Sequence, residues 1–375
     1  MNRHAGVPLA TGRSVVLKEC SWRRVGTSLL VMFDPARTVR LADPDGRVER
    51  LLEELAAGRR QLSAVHAALV ERGDVAADES IDAAIATLDG LGLVEDGATA
   101  SLEPGEDPER HASTLAFFSS FASLERGRAD FVRRLRGAHV LQLGAGGIGS
   151  AVVQALCGMG VGGVTIVDHD TVAVGNLARQ FLYRRADLGR PKVERAVEWI
   201  DEVHPTTTAN GVMRRVRCAD DVADLLDGVD VVVCAIDVPS DVGLRVGEAA
   251  TPRRVPSVHA GVGPFGVRYG SVLPGRSACL SCVDSGLRRR QPPDRASAEY
   301  DLAARLHRPN PSTASLVMLA GSLVSLEVVR LLTGFQAPQA AGARVTVRLD
   351  DGLVPHVDRF DRDAGCPVCG GLGDG

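Results

Sequence analysis

The chain has 375 residues, 45% of them hydrophobic, and 43 basic against 47 acidic side chains give a formal net charge of −4. That length supports two or three domains with a sizeable buried core. The near balance of charge argues against a nucleic-acid partner held through phosphates. The N-terminal stretch MNRHAGVPLATGRS lacks the apolar core of a signal peptide, and no uninterrupted apolar window of about 18 residues marks a membrane span. A cytoplasmic protein that touches neither membrane nor nucleic acid is therefore expected.

Residues 1–100 read as a first domain. SVVLKEC, SLLVMF and TVRLAD are short strand-like runs. Three amphipathic segments follow, GRVERLLEELAAG, QLSAVHAALVERG and ESIDAAIATLDGLGLV, each with apolar residues at three- and four-residue spacing. The polar stretch GATASLEPGEDPERHAS, with Gly and two prolines, marks a linker over 101–112. From residue 113 to 375 apolar strand-length runs (HVLQLG, VTIVD, DVVVCAID, VPSVHAGV) alternate with helical segments. That alternation predicts an α/β fold with a doubly wound, mainly parallel sheet and helices on both faces. The segment ASLVMLAGSLVSLEVVRLLTG carries Ser322, Ser325, Glu327 and Arg330 and reads as a buried helix. A basic, proline-containing loop precedes it, and two strands, ARVTVRLDD and LVPHVDRF, follow it.

The strand HVLQL runs into LGAGGIGS, where Gly144, Gly146 and Gly149 fit G-x-G-x-x-G. Glycines there let the backbone approach a phosphate at a helix N-terminus, and both NAD and ATP satisfy the motif. Asp168 ends the next strand, where its carboxylate can accept bonds from ribose hydroxyls of either nucleotide. Asn176, Arg179 and Gln180 form a polar cluster beyond it, and Lys192 follows Pro191 at the start of a helix. A lysine at a helix N-terminus faced by an arginine suits a triphosphate. Asp237, at the end of DVVVCAID, points into the crevice of a parallel sheet. Beside a triphosphate its natural partner is Mg²⁺; the competing role is capping of the following segment.

Eight cysteines in a chain of this kind do not indicate a disulfide framework. Four of them form two C-x-x-C pairs, Cys279 with Cys282 and Cys366 with Cys369. Four thiolates are the number that a closed tetrahedral structural Zn²⁺ site requires, and such a site contributes on the order of 10 kcal/mol to folding.

Residues 113–375 resemble the ThiF/MoeB family, relatives of the ubiquitin-activating enzymes, in GAGGIG, the acid of VDHD, NLARQ, GRPK, the strand-end AID and both cysteine pairs. The resemblance implies Mg-ATP-dependent adenylation of a carboxylate at the end of a small protein or peptide. By position it gives Asp168 the ribose, Arg179 and Lys192 the phosphates and Asp237 the magnesium, with Asn176 and Gln180 in the same pocket. It also implies a homodimer, to whose interface the apolar helix around Leu316–Leu332 could contribute as readily as to the core. Val238 stands where the family often has asparagine. No arginine-rich motif reaching a partner subunit is recognisable, Arg110 being the candidate for it. The stretch between Cys282 and Cys366 has no cysteine, which argues against transfer through a thioester.

The first domain resembles the PqqD-like, winged-helix recognition domains of enzymes that modify ribosomal peptides. Such domains bind a leader peptide as an added strand. Together the two resemblances imply an enzyme that adenylates a carboxylate of a ribosomally made precursor peptide. The alternatives are a non-catalytic adaptor for a YcaO-type cyclodehydratase, a sulfur-carrier activator and an NAD dehydrogenase. Persistence of Arg179, Lys192 and Asp237 favours catalysis over the adaptor.

Overall fold

A computed structural model describes residues 12–34, 36–58, 60–290 and 312–373. The chain folds as two compact units, Met1–Arg133 and Arg134–Gly375. Most of the basic, proline-containing loop expected before the long apolar helix falls at 291–311, outside the described residues.

In the first unit, strands β1 (Ser14–Leu17), β2 (Ser21–Val25), β3 (Ser28–Asp34) and β4 (Arg37–Ala42) lead into α1 (Arg47–Ala56). Then come β5 (Arg60–Gln61), α2 (Leu62–Glu71), α3 (Asp82–Gly90) and β6 (Val94–Asp96). Two three-stranded sheets result, in the orders β5-β1-β6 and β2-β3-β4. The spacing of Leu51, Leu52 and Leu55 on α1, Val65 and Leu69 on α2, and Ile85 and Leu88 on α3 buries one face of each helix. These residues meet Val15, Leu29 and Val31 from the strands in one core. Asp43, fully buried, accepts the N–H groups of Val48 (2.9 Å) and Glu49 (3.3 Å) and so satisfies the otherwise open start of α1. The polar segment after β6 holds a 3-10 turn, Pro104–Glu106, and runs into α4 (Ala112–Ser119) and α5 (Arg128–Arg136).

The second unit alternates β7 (His139–Leu143), α6 (Gly147–Gly158), β8 (Gly163–Asp168), α7 (Lys192–Val203), β9 (Thr208–Met213), α8 (Asp220–Ala223), β10 (Val231–Cys234) and α9 (Val242–Ala250). It continues with β11 (Ser257–Gly263), β12 (Gly266–Val272), α10 (Leu280–Arg289), α11 (Ala314–Thr333), β13 (Ala343–Arg348) and β14 (Pro355–Arg359). The strands form one eight-stranded sheet, β14-β13-β12-β11-β10-β7-β8-β9. From β11 to β9 the pairing is parallel, and from β11 to β14 antiparallel. This is the Rossmann-like architecture the alternation implied, with an antiparallel extension on one side.

Helices cover both faces of the sheet, which is why β7, β8 and β10 are apolar almost throughout. Leu141, Leu143 and Val232 pack on one face against Val242 and Val246 of α9. On the other face α11 packs against α6, β10, β11 and β12. Small residues bring α6 and α11 together: a Cβ added to Gly321 would lie 2.5 Å from Ala151 Cβ. Glu327 of α11 is fully buried, and its carboxylate takes bonds from Ser271 Oγ (2.7 Å) and the N–H groups of Ala340 (2.8 Å) and Gln339 (3.0 Å). Among the described residues α11 is the one helix long and apolar enough to cross a membrane, and 56% of its apolar window is buried in the fold.

Candidate active site

The order of strands brings the carboxyl ends of β10, β7, β8 and β9 side by side. A cleft with a cavity volume of about 280 Å³ opens there. Its wall includes Gly144, Gly146, Asp168, Asn176, Arg179, Gln180, Lys192 and Asp237. Of the nucleotide-site residues expected from the sequence, all but Gly149 line it.

The three glycines have different physical tasks. Gly144 has φ +92°, a left-handed conformation, and a Cβ there would lie 2.8 Å from the carbonyl oxygen of Ala235. Gly149 faces the turn itself, since its Cβ would come within 1.9 Å of Gly144 O. Gly146 faces open space, the nearest atom being Gln180 Nε2 at 3.9 Å from the added Cβ. Absence of a side chain at Gly146 therefore leaves room in the cleft, and the turn fits a phosphate-bearing ligand at the start of α6.

Side chains from distant segments hold that turn. Asp168 Oδ2 accepts the Ala145 N–H at 2.7 Å, and its Oδ1 accepts the Asp170 N–H at 2.8 Å. Each oxygen keeps a further lone pair for a ligand hydroxyl. The Tyr183 hydroxyl donates to the Ala145 carbonyl at 2.7 Å. Burial, reinforced by the Asp168 and Asp170 charges, pushes Tyr183 well above the usual phenol range, so it remains a donor. The backbone N–H and C=O of Ala145 are thus both satisfied by side chains of residues that follow β7.

Lys192 begins α7 with only 3% of its surface exposed, and its Nζ donates to Asp170 Oδ2 at 2.9 Å. Arg179 is half-buried and donates to the Gly175 carbonyl at 3.0 Å. Asn176 Oδ1 caps its own 3-10 turn by accepting the Ala173 N–H at 2.9 Å. Gln180 is buried, and its Oε1 has no hydrogen-bond partner among the described residues. An orphaned buried acceptor beside an open cleft is a fit for a ligand donor. Asp237 is exposed at the end of the β10 segment, on the cleft wall with Ile236 and Val238. Arg110 belongs to the first unit, where its N–H donates to Asp107 Oδ1 at 3.3 Å.

Three contributors were not singled out from the sequence. Asp170 was signalled by the second acid of VDHD; Tyr183 and Arg214, which follows β9 and lines the cleft, carry no local signal. On β11 the ring of His259 bonds Ser257 Oγ at 2.8 Å, while its Nδ1 is enclosed without a partner. Burial pulls that imidazole down to about 4, so it is neutral near pH 7.

The four cysteines of the two pairs converge away from the cleft. All four Sγ atoms lie within 4.8 Å of one another, with contacts of 3.8, 3.6 and 3.5 Å. The edge of a ZnS₄ tetrahedron is about 3.8 Å, so the donor set fits that ion in number, type and spacing. Cys279 and Cys282 sit at the start of α10 rather than in a simple turn. Burial pushes their thiols up. Burial opposes ionisation of Cys366 as well, but the N–H groups of Cys369 and Val368 hold it at about 7.

Residues 119–368 match the model of the ThiF family. The molybdopterin-synthase adenylyltransferase of Salmonella typhimurium is 30% identical over 254 residues, covering 63% of this chain and 88% of that protein. The sulfur carrier protein ThiS adenylyltransferase of Escherichia coli is 28% identical over 247 residues, covering 64% and 90%. Crystal structures of E. coli MccB share the fold: MccB alone gives a TM-score of 0.76 at 18% identity, covering 96% of this chain and 97% of that one. MccB with AMPCPP and MccA gives 0.73 at 18% identity, covering 95% and 100%. The chain belongs to the ThiF family and is an adenylyltransferase of that family.

Proposed function

We propose that this adenylyltransferase activates a carboxylate of a ribosomally made precursor peptide, and that residues 1–100 are a PqqD-like domain that recognises the leader of that peptide. The observation that carries the reading is the first unit itself. The family match begins at residue 119, so a separately cored α+β unit precedes the adenylyltransferase portion. A peptide-activating enzyme needs such a selecting element. The fold relative MccB is described as the Microcin C7 biosynthetic enzyme, in complex with N-formylated MccA, which supports the same direction.

In this reading the glycine turn and the N-terminus of α6 receive the phosphates of ATP, with Arg179 and Lys192 as their cations. Asp168 takes the ribose hydroxyls, and Gln180 and Asn176 complete the wall. Asp237 would hold Mg²⁺, which would screen the charge of the triphosphate. A peptide carboxylate oxygen attacks the α-phosphorus, the bond to the bridging oxygen breaks, and pyrophosphate leaves with its electron pair. Negative charge grows on the leaving group, where Lys192 and Arg179 stabilise it. No protein nucleophile takes part. The four cysteines would hold a Zn²⁺ ion in a structural role.

The test is ATP–pyrophosphate exchange with and without the precursor peptide. Exchange is expected only with the peptide, and Asp237→Ala is expected to abolish it. Leader binding without any ATP binding, measured by calorimetry, would favour the adaptor reading instead.

A further inference from the structure

The turn between β7 and α6 holds two successive peptide planes, Gly144–Ala145 and Ala145–Gly146. The first is tied at both ends: Gln142 Nε2 donates to the Gly144 carbonyl at 3.0 Å, and Asp168 Oδ2 accepts the Ala145 N–H at 2.7 Å. The second is tied at its carbonyl end by the Tyr183 hydroxyl, which donates to Ala145 O at 2.7 Å. At its other end the Gly146 N–H has no hydrogen-bond partner among the described residues. Three buried side chains therefore satisfy three of the four polar groups and leave one donor.

The direction of that donor follows from the plane. The Ala145–Gly146 bond is trans, so its C=O and N–H point opposite ways. With the carbonyl drawn toward Tyr183, which is 5% exposed and does not line the cleft, the N–H is turned to the side where Gly146 does line it. Turned over, the same plane would present the carbonyl oxygen to the cleft, a partial negative charge facing a phosphate. Glycine makes that alternative accessible. The turnover would carry Gly146 from φ −77° into the positive region that glycine adopts readily.

We infer that Tyr183 is a positioning residue whose hydroxyl latches this peptide plane and so presents the Gly146 N–H to a phosphate oxygen of the nucleotide. The inference rests on the ATP reading above. Tyr183 touches no ligand and acts through the backbone. Its hydrogen bond also polarises the plane, which strengthens the N–H at the far end as a donor. Burial keeps the phenol protonated, so the latch stays a donor.

The experiment measures binding of ATP, inorganic tripolyphosphate and adenosine to the full chain by calorimetry, in the wild type and in Tyr183→Phe. The variant removes one oxygen and keeps the ring. It is expected to bind ATP and tripolyphosphate roughly tenfold or more weakly, with adenosine affinity unchanged, since the Gly144–Ala145 plane keeps both its ties. A second measurement does not depend on the variant: in wild-type protein with nitrogen-labelled glycine, the Gly146 amide resonance is expected to move on addition of tripolyphosphate. Unchanged tripolyphosphate affinity in Tyr183→Phe would overturn the inference, as would a Gly146 amide that ignores the ligand. An equal loss of adenosine would make Tyr183 a general support of the turn and overturn it too. A wild type that binds neither ATP nor tripolyphosphate would instead overturn the ATP reading, and this inference with it.

Discussion

The ammonium of Lys192 lies 2.9 Å from Asp170 Oδ2, with the lysine side chain 4% exposed and the aspartate side chain 53% exposed. The cation is built into the cleft wall and its counter-ion stands in the mouth. Burial acts to raise the Asp170 carboxyl, but the hydrogen bond and charge of Lys192 outweigh it and hold the group below its usual value. A carboxyl depressed in this way contributes stability that is complete above its unfolded value, near pH 4, and is lost as pH falls through the lower folded value. An incoming triphosphate competes with Asp170 for the same ammonium. Asp170→Asn is expected to tighten tripolyphosphate binding, whereas Lys192→Ala weakens it by roughly tenfold or more, as calorimetry at fixed ionic strength would report. Equal affinities across wild type and both variants would remove Lys192 from the phosphate site.

Gly146 and Gly149 lie three residues apart and are expected to fail differently. A methyl at Gly149 meets the Gly144 carbonyl at 1.9 Å, so Gly149→Ala should lower the melting temperature as well as nucleotide affinity. A methyl at Gly146 meets nothing closer than 3.9 Å. Gly146→Ala should therefore melt like the wild type yet bind ATP poorly, because the methyl occupies the cleft. Undiminished ATP affinity in Gly146→Ala would mean that the phosphates do not lie over this turn.

The cysteine cluster predicts about one zinc per chain by elemental analysis. Stripping it with a chelator leaves four buried sulfurs without their ion and should cost several kcal/mol of stability. Cys369→Ser should reproduce that loss while a Cys218→Ser control does not, since Cys218 is exposed and away from the cluster. Because the site is closed, chelation is expected to act on stability and not directly on the chemical step. A chain free of bound metal and indifferent to chelation would refute the assignment.

His259 makes a separate pH prediction. Its folded value of about 4 lies below the ordinary 6.5 because the ring is buried. Between those two values the unfolded chain binds the proton and the folded chain does not, so stability falls as pH drops through this window. The full effect is about 3 kcal/mol. Urea unfolding of wild type and His259→Gln at about pH 7 and about pH 5 should show a smaller acid loss in the variant. Parallel losses would place the titration elsewhere.

Much of the site was legible because its chemistry is local. The glycine turn, the acid ending β8, the NLARQ cluster and the lysine opening α7 all lie within one stretch from β7 to α7, where spacing along the chain fixes spacing in the fold. Elements with one polar face were harder to read. β9, TANGVM, is an edge strand with mostly exposed or half-buried residues, and β2, SWRRV, alternates exposed and half-buried positions. Neither shows the continuous apolar run that identifies β7 or β8, since neither is covered on both sides.

The sequence by itself determined the donor types, the turn that needs glycine and the family they belong to, because those follow from residue identity and short spacing. Only the tertiary structure decided which distant groups meet. Cys279 and Cys366, 87 residues apart, come to 3.6 Å through the packing of α10 against the C-terminal segment. Asp237 reaches the glycine turn because β10 pairs with β7, and Arg214 stands beside Asp168 because β9 pairs with β8. Strand order is a property of the whole buried sheet, set by which apolar faces can be covered together. No local pattern encodes it.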